Sequence, residues 1–304
     1  MRPVVLMSTY NGAAYLRQQV ESIVHQLPPN GLLCIRDDGS TDNTLEVLHQ
    51  LAANNIKITA GENIGFARSF LSLLSDAPDD ATMYMLADQD DLWLPWKIER
   101  AAHWLSHRKN QAALYCSNAI ITDENLTPIG KTKFTSPHKE WHHAFTENVA
   151  IGCTIAISPR LRELAKGSES SNLIRYHDWW LYILAKTYGD VMLDPEHTLL
   201  YRQHGNNSVG MKPGIKRYTT IAKNLAKTNW LKSMNSQIWE FKKSHSDAVS
   251  EQQLKQLENI QDTHGRLRRM KIIFSRKILR SSVTSEILFR SLVAFDLRDP
   301  SPDK

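Results

Sequence analysis

Short apolar runs alternate with stretches in which apolar residues recur every three or four positions, and the alternation repeats four times in the first half of the chain. Val4 to Tyr10 is the first run, and after Asn11-Gly12 the residues Leu16, Val20, Ile23, Val24 and Leu27 fall on one helical face. Leu32 to Ile35 is the second, ending in Asp37-Asp38-Gly39-Ser40-Thr41-Asp42 before a helix that carries Leu45, Leu48, Leu51 and Ala52. Ile56 to Thr59 is the third, and beyond Asn63-Ile64-Gly65 a helix groups Phe66, Phe70, Leu73 and Leu74. Met83 to Ala87 is the fourth, followed by a helix opening at Pro95 with Ile98, Ala101, Ala102 and Leu105. Strands alternating with helices predict an α/β, Rossmann-like domain: a mostly parallel sheet with helices on both sides.

The pattern then loosens. Ala113 to Cys116, Ala150 to Ile157 and Thr198 to Tyr201 read as strands, and Asp178 to Tyr188 as a helix closed by Gly189. These extend one mixed sheet. From about Lys212 the chain becomes helical and basic, and Pro213-Gly214 suits a boundary, so the expected domains are residues 1–211 and a helical C-terminal extension, 212–304.

Composition narrows the class. At 304 residues and 41% hydrophobic content the chain can bury a substantial core. Cys34, Cys116 and Cys153 sit apart in apolar runs without metal-ligand spacing, as reduced core residues do. The apolar run after Arg2-Pro3 is too short for a signal peptide, and no run is long enough to span a bilayer, so a cytoplasmic protein is expected. Charge divides unevenly: residues 1–210 carry 18 Lys and Arg against 23 Asp and Glu, and residues 211–304 carry 19 against 9. A basic tail on an acidic domain points to an anionic membrane face, nucleic acid or an acidic partner.

In open α/β sheets ligands bind at the carboxyl ends of the strands, where Thr9-Tyr10-Asn11, Asp37-Asp38 and Asp88-Gln89-Asp90-Asp91 all fall. Three carboxylates at the end of a buried strand repel one another and lose hydration, which a divalent cation offsets. Hard oxygen ligands suit Mg²⁺ or Mn²⁺. The plainer alternative is that Asp90 or Asp91 caps the helix at Pro95 while the other carboxylates are solvated. Neither Gly-x-Gly-x-x-Gly nor Gly-x-x-x-x-Gly-Lys occurs, so the glycine-rich phosphate cradles are absent. Asp37 and Asp38 instead offer acceptors for a base or for ribose hydroxyls, with Ser40 or Thr41 free to cap the next helix.

Ser8-Thr9-Tyr10-Asn11-Gly12, Asp37 to Thr44, Asn63-Ile64-Gly65 and Asp88-Gln89-Asp90-Asp91-Leu92-Trp93, in this order, resemble the family 2 glycosyltransferases of GT-A fold, most of all the bacterial rhamnosyltransferase-like members. The resemblance covers residues 3 to about 210. It implies an inverting transferase that moves a hexosyl or deoxyhexosyl group from a UDP- or dTDP-linked sugar to a hydroxyl of a glycan or lipid-linked glycan, in O-antigen or capsule synthesis. By the same resemblance Thr9, Asp37 and Asp38 hold the nucleotide, with Tyr10, Asn11, Asn63 and Arg68 beside them. Asp88 serves both ribose and metal, Asp90 the metal, and Asp91 either positions the donor sugar or caps a helix. In Tyr176-His177-Asp178-Trp179-Trp180, His177 stands where relatives carry a Glu, which leaves Asp178 as the base. His204 matches a histidine that closes over the donor as a further metal ligand, and Arg202 is placed to face the diphosphate. Asn206 and Asn207 suit a loop that orders over substrate.

Two other functions compete. A metal-dependent phosphohydrolase also uses Asp-x-Asp after a strand, but gives no work to Asp37, Asp38 or Asp178; a nucleotide-sugar-binding protein without catalysis would not need Asp88, Asp90, Asp178 and His204 together. In the tail, Arg266, Arg268, Arg269, Lys271, Arg276, Lys277, Arg280 and Arg290 interleave with apolar residues from Leu267 to Phe295. That pattern suits peripheral contact with the inner membrane face, or a helical cap packed on the domain. No nucleic acid partner is expected, because no recognisable module accompanies the charge.

Overall fold

The computed structural model describes residues 1–134, 140–205, 230–261, 270, 272–274, 279–280 and 283–295. The expected boundary at Pro213-Gly214, the Asn206-Asn207 loop and most basic positions between 264 and 278 lie outside the described residues.

Four parallel strands, β1 (Pro3–Thr9), β2 (Leu32–Asp37), β3 (Ile56–Ala60) and β4 (Met83–Ala87), stand in the order β3-β2-β1-β4. β1 and β4 are continuous apolar runs because both their faces are covered, whereas β3 lies at the sheet edge and is largely exposed. Side chains alternate between faces. Val5, Met7, Leu33, Ile35, Met83 and Met85 share one core with Leu16, Val20 and Ile23 of α1 (Ala13–Val24), Leu48 of α2 (Thr44–Gln50), and Ile98, Ala101 and Leu105 of α4 (Lys97–Leu105). On the opposite face α3 (Phe66–Asp76) packs on β1 and β2, and α5 (Pro159–Ala165) on β4. The predicted four-fold alternation is therefore the framework of the molecule.

The second half of the sheet departs from the sequence pattern. The short β5 (Leu92–Trp93), β6 (Ala112–Thr122), β7 (Pro128–Lys131), β8 (Ala156–Ile157) and β9 (Gly189–Arg202) extend the order to β4-β8-β6-β9-β5, with β7 beside β6. β8 runs antiparallel to both β4 and β6, which makes the sheet mixed. The strand expected over 150–157 is reduced to two residues, since Gly152–Thr154 turns as a 3₁₀ helix before it. α6 (His177–Tyr188) buries His177 and every residue from Trp179 to Ala185, as an internal helix does. Trp179 and Trp180 are thus packing residues.

Gly189 ends α6 as expected, but not as a left-handed cap: its φ is −175° and it opens β9. Its glycine is required by close approach, because a Cβ there would lie 1.8 Å from the Ala112 carbonyl oxygen on β6. Gly189→Ala is expected to lower stability by about 2–4 kcal/mol, read as a fall in the melting midpoint, because backbone rather than a flexible side chain must move. An unchanged midpoint would show that the β6–β9 pairing yields easily.

Cα packing divides the chain into two compact units, one of residues 1–134, 150–171 and 176–213, the other of residues 135–149, 172–175 and 214–304. The described part of the second unit is helical: α7 (Trp230–His245), α8 (Glu251–Gln261), α9 (Val283–Phe295) and a 3₁₀ turn over Trp141–Phe145. The Phe145 and Phe241 rings meet edge to face at 4.9 Å, and Arg280 lies over Trp230 at 4.5 Å while donating to the Thr146 carbonyl. Arg280 is thereby a core residue of this unit. Among the described residues, no helix is long and apolar enough to cross a membrane.

Candidate active site

The carboxyl ends of β1, β2 and β4 bring the first motifs together. Asp37, 1% exposed, accepts from Thr9 Oγ1 at 3.0 Å, Ser40 N at 2.9 Å and Ser40 Oγ at 2.6 Å. Ser40 closes this turn instead of capping α2, which starts at Thr44 where Asp42 accepts the Thr44 N–H at 3.0 Å. Asp38 takes the N–H groups of Ile64 and Gly65 at 3.0 and 2.9 Å and is paired with Arg36. It thereby ties the Asn63-Ile64-Gly65 motif to the end of β2. Asn63 itself is exposed and its side chain accepts from Gly65 N at 3.2 Å.

Asn11 adopts a positive φ of 49°, and its side chain accepts from Thr41 N at 2.8 Å. Gln89, an unremarked residue inside the Asp run, fixes the loop from the other side: it accepts from Tyr10 N at 2.8 Å and donates to Tyr10 O at 3.0 Å. Tyr10 is left with an exposed ring. Arg68, half-buried on α3, donates to the Glu169 carbonyl at 3.2 Å.

The Asp run is not a capping loop. α4 opens at Lys97, two residues after Pro95, and has no side-chain cap, so neither Asp90 nor Asp91 serves it. Asp90 is 9% exposed and its Oδ2 lies 2.8 Å from His204 Nε2. The His204 ring stacks on Tyr15 at 4.8 Å. Arg202 is 3% exposed: its guanidinium lies over the same Tyr15 ring, donates to Asp90 O and Gln18 Oε1, each at 2.8 Å, and bonds the Glu124 carbonyl. Its backbone N–H donates to Asp91 Oδ1 at 3.2 Å. The side chain expected to face a diphosphate is thus committed to bracing the Asp loop from behind.

Asp88 is half-buried, and desolvation, with the Asp90 and then the Asp178 charges adding to it, pushes its carboxyl up to about 7. Asp91 is fully buried and raised for the same first reason, with Asp90 and Asp88 adding to it. The buried Lys97 ammonium opposes the Asp88 shift only in part, its own value lowered by burial to about 8, and the Cys153 thiol and the Arg202 N–H oppose the Asp91 shift. Asp91 Oδ2 is buried and meets no N–H or O–H donor. Crowded carboxylates that raise one another, with the His204 imidazole 2.8 Å from Asp90, form a set that fits a divalent cation.

Asp178 lies in the first turn of α6 and its Oδ1 accepts from Trp179 N at 2.8 Å. A Cβ on Gly152 would sit 3.8 Å from Asp178 Oδ2 and 3.5 Å from His177 Nε2, so the 3₁₀ turn brings bare backbone against both residues. His177 turns inward, stacking on Phe70 at 4.2 Å and meeting Phe66 edge-on at 5.9 Å, with neither ring nitrogen hydrogen-bonded. Burial holds it neutral, its value lowered to about 3 from an ordinary 6.5. The folded state therefore binds fewer protons than the unfolded state between those values, and stability is lost as pH falls from about 6.5 toward 3. His177→Phe, which keeps the stack, is expected to recover on the order of 3–5 kcal/mol at the acid end of that window, read from urea midpoints against pH. Parallel pH profiles for both proteins would refute a buried neutral imidazole.

Residues 4–166 match the Glycosyl transferase family 2 domain. The chain belongs to that family. It is a glycosyltransferase that draws on a nucleotide-sugar donor, and the phosphohydrolase alternative falls. Over 247 residues it is 30% identical to the dTDP-rhamnosyl transferase RfbG of Shigella flexneri, covering 76% of this chain and 83% of that one. It is 25% identical over 158 residues to the UDP-Glc:alpha-D-GlcNAc-diphosphoundecaprenol beta-1,3-glucosyltransferase WfgD of Escherichia coli, covering 51% of this chain and 59% of that one. The fold is that of S. aureus TarS 1-349 in complex with UDP-GlcNAc, with a TM-score of 0.59 at 15% identity, covering 99% of this chain and 82% of that one. The GT-A architecture expected from the motifs is therefore the architecture present.

Proposed function

We propose that this family 2 glycosyltransferase is inverting and divalent-metal-dependent, and that it transfers a sugar from a UDP- or dTDP-linked donor to a hydroxyl of a glycan or lipid-linked glycan in bacterial surface polysaccharide synthesis. The observation that carries the reading is convergence. Asp178, remote in sequence from the Asp run, is close enough for its charge to act on Asp88, while His204 lies against Asp90. In this reading residues 1–211 form the catalytic domain and residues 212–304 an extension; the enzyme works in the cytoplasm with its basic tail in peripheral contact with the inner membrane face. The dTDP-rhamnosyl and diphosphoundecaprenol-linked activities in the names of the two relatives support the donor and acceptor classes.

Each group then has a task. Thr9, Asp37 and the turn they hold, with Tyr10, Asn11 and Asn63 at its rim, receive base and ribose. Asp38 and Arg68 hold that rim in shape. Asp88, Asp90 and His204 are the ligands for Mg²⁺ or Mn²⁺, the imidazole favouring Mn²⁺. An ion held by these residues would supply positive charge for the departing diphosphate. Asp178 accepts the proton of the acceptor hydroxyl as its oxygen attacks the anomeric carbon from the face opposite the leaving group, so one displacement inverts the configuration. Arg202 and Tyr15 keep His204 and the Asp90 loop in register.

A thermal-shift screen of UDP-, dTDP- and GDP-linked sugars, each with and without Mn²⁺ or Mg²⁺, tests this. A donor bound by the native state raises the melting midpoint. A rise confined to UDP or dTDP sugars and dependent on the ion is expected, followed by NMR of the product showing an inverted anomeric centre. A flat response to every donor, or retention, would overturn it.

A further inference from the structure

Behind Asp90 and His204 lies a second set of ligand atoms. One carboxylate oxygen each from Asp88 and Asp91 and the Cys153 Sγ all lie within 4.8 Å of one another. Asp91 and Cys153 are 0% and 1% exposed, and Asp88 is the half-buried member of the set. The buried Asp91 Oδ2 meets no N–H or O–H donor, and the group that bears on Asp91 from this side is the Cys153 thiol itself. An acceptor at such depth without a strong donor is costly, and a cation on this oxygen removes that cost. Cys153 is carried in by the 3₁₀ turn over Gly152–Thr154, the same turn that faces Asp178.

We propose that Asp88, Asp91 and Cys153 form a site for a soft divalent cation of the Zn²⁺ or Cd²⁺ type, separate in its ligands from the Asp90–His204 pair. Thiolate with two carboxylates suits a four-coordinate soft ion with water as the last ligand, and a hard Mg²⁺ poorly. Charge balance favours it. Two carboxylates and a thiolate carry three negative charges; a divalent ion leaves one, which the Lys97 ammonium balances. Lys97 is 0% exposed, its Nζ lies over the Trp93 ring at 4.7 Å and 3.4 Å from Thr198 Oγ1, and its charge acts on Asp88, Asp91 and Cys153. Binding releases to solvent the thiol proton and the protons that the raised Asp88 and Asp91 carboxyls hold. It also withdraws Asp88 from the catalytic set, so a soft cation is an inhibitor of transfer. The site goes beyond the transferase reading, and its occupancy is read without donor or turnover.

Titrating the metal-free full chain with Cd²⁺ tests it through the ultraviolet charge-transfer absorption of a cadmium thiolate. One saturating band per chain is expected, accompanied by proton release, lost in Cys153→Ser and kept in a Cys34→Ser, Cys116→Ser double variant. Circular dichroism checks that each variant is folded. If Cys153→Ser does not fold, the double variant decides alone, since any band in it arises from Cys153. No band in the wild-type chain, none in the folded double variant, or an undiminished band in folded Cys153→Ser would overturn the site.

Discussion

Asp90→Asn is expected to lower glycosyl transfer by about a thousandfold, roughly 4 kcal/mol of transition-state stabilisation, without loss of fold. The amide oxygen can still meet His204 across the 2.8 Å contact, so the loop keeps its shape. What disappears is the negative charge of the proposed metal ligand. The variant should also lose any rise in melting midpoint that Mn²⁺ gives the wild type. A second consequence separates this account from a merely structural one. Asp88 is held at about 7 by burial and by the neighbouring carboxylates, against an ordinary 3.8, so the metal-free folded state binds more protons than the unfolded state between those values. Stability from this group is fully present below about 3.8 and is lost as pH rises toward 7. Removing the Asp90 charge relieves part of that repulsion, and the metal-free variant should lose less stability than wild type over this window. Full turnover in Asp90→Asn would remove Asp90 from the metal set.

The pH dependence of the metal-free protein is thus shaped by groups of opposite sign. His177 destabilises the fold as pH falls, and Asp88, with Asp91 raised by the same burial, destabilises it as pH rises. His177→Phe isolates the first, and Asp90→Asn acts on the carboxyl pair through the charge they share.

What the sequence made legible follows from what is local. β1 to β4 could be read because each is a short apolar run followed by its own amphipathic helix, with β1 and β4 covered on both faces. The carboxyl-end motifs could be read because a parallel sheet places every such end on one edge. β5 and β8 could not: each is two residues long, and its place in the sheet is decided by partners far along the chain, Leu92 by Leu200 and Ala156 by Met85 and Tyr115. The same holds for side chains. Lys97 looked like one more residue of an amphipathic helix, and Cys153 like a core cysteine; only the fold sets both behind the Asp run. Arg202 could be placed beside the site by its motif but not aimed, since its direction depends on Tyr15, Gln18 and Glu124. Segment 140–149 gave no sign that it packs with residues of the helical unit, where Phe145 meets Phe241. Gln89 carried one readable signal, an amide between two carboxylates at a strand end, where a bracing donor and acceptor are useful.

Asp178→Asn is expected to lower turnover by about a thousandfold while donor affinity, measured by calorimetry, changes less than about threefold. The amide is isosteric and keeps an oxygen to accept from Trp179 N, so the first turn of α6 is retained. It cannot take a proton. The neighbouring His177 is a poor substitute, because its ring is buried against Phe66 and Phe70 and burial holds its value near 3. Asp178→Glu gives a sharper test than removal. The added methylene moves the carboxylate from its place beside the Gly152 turn. The base is then retained but displaced, and misplacement of this kind costs on the order of a hundredfold. Asp178→Glu should therefore fall between wild type and Asp178→Asn in kcat, and the pH limb that reports the base should persist in Asp178→Glu and vanish in Asp178→Asn. Loss of donor binding in Asp178→Asn would demote the residue to holding α6. Equal kcat in the two variants with unchanged pH limbs would move the base elsewhere.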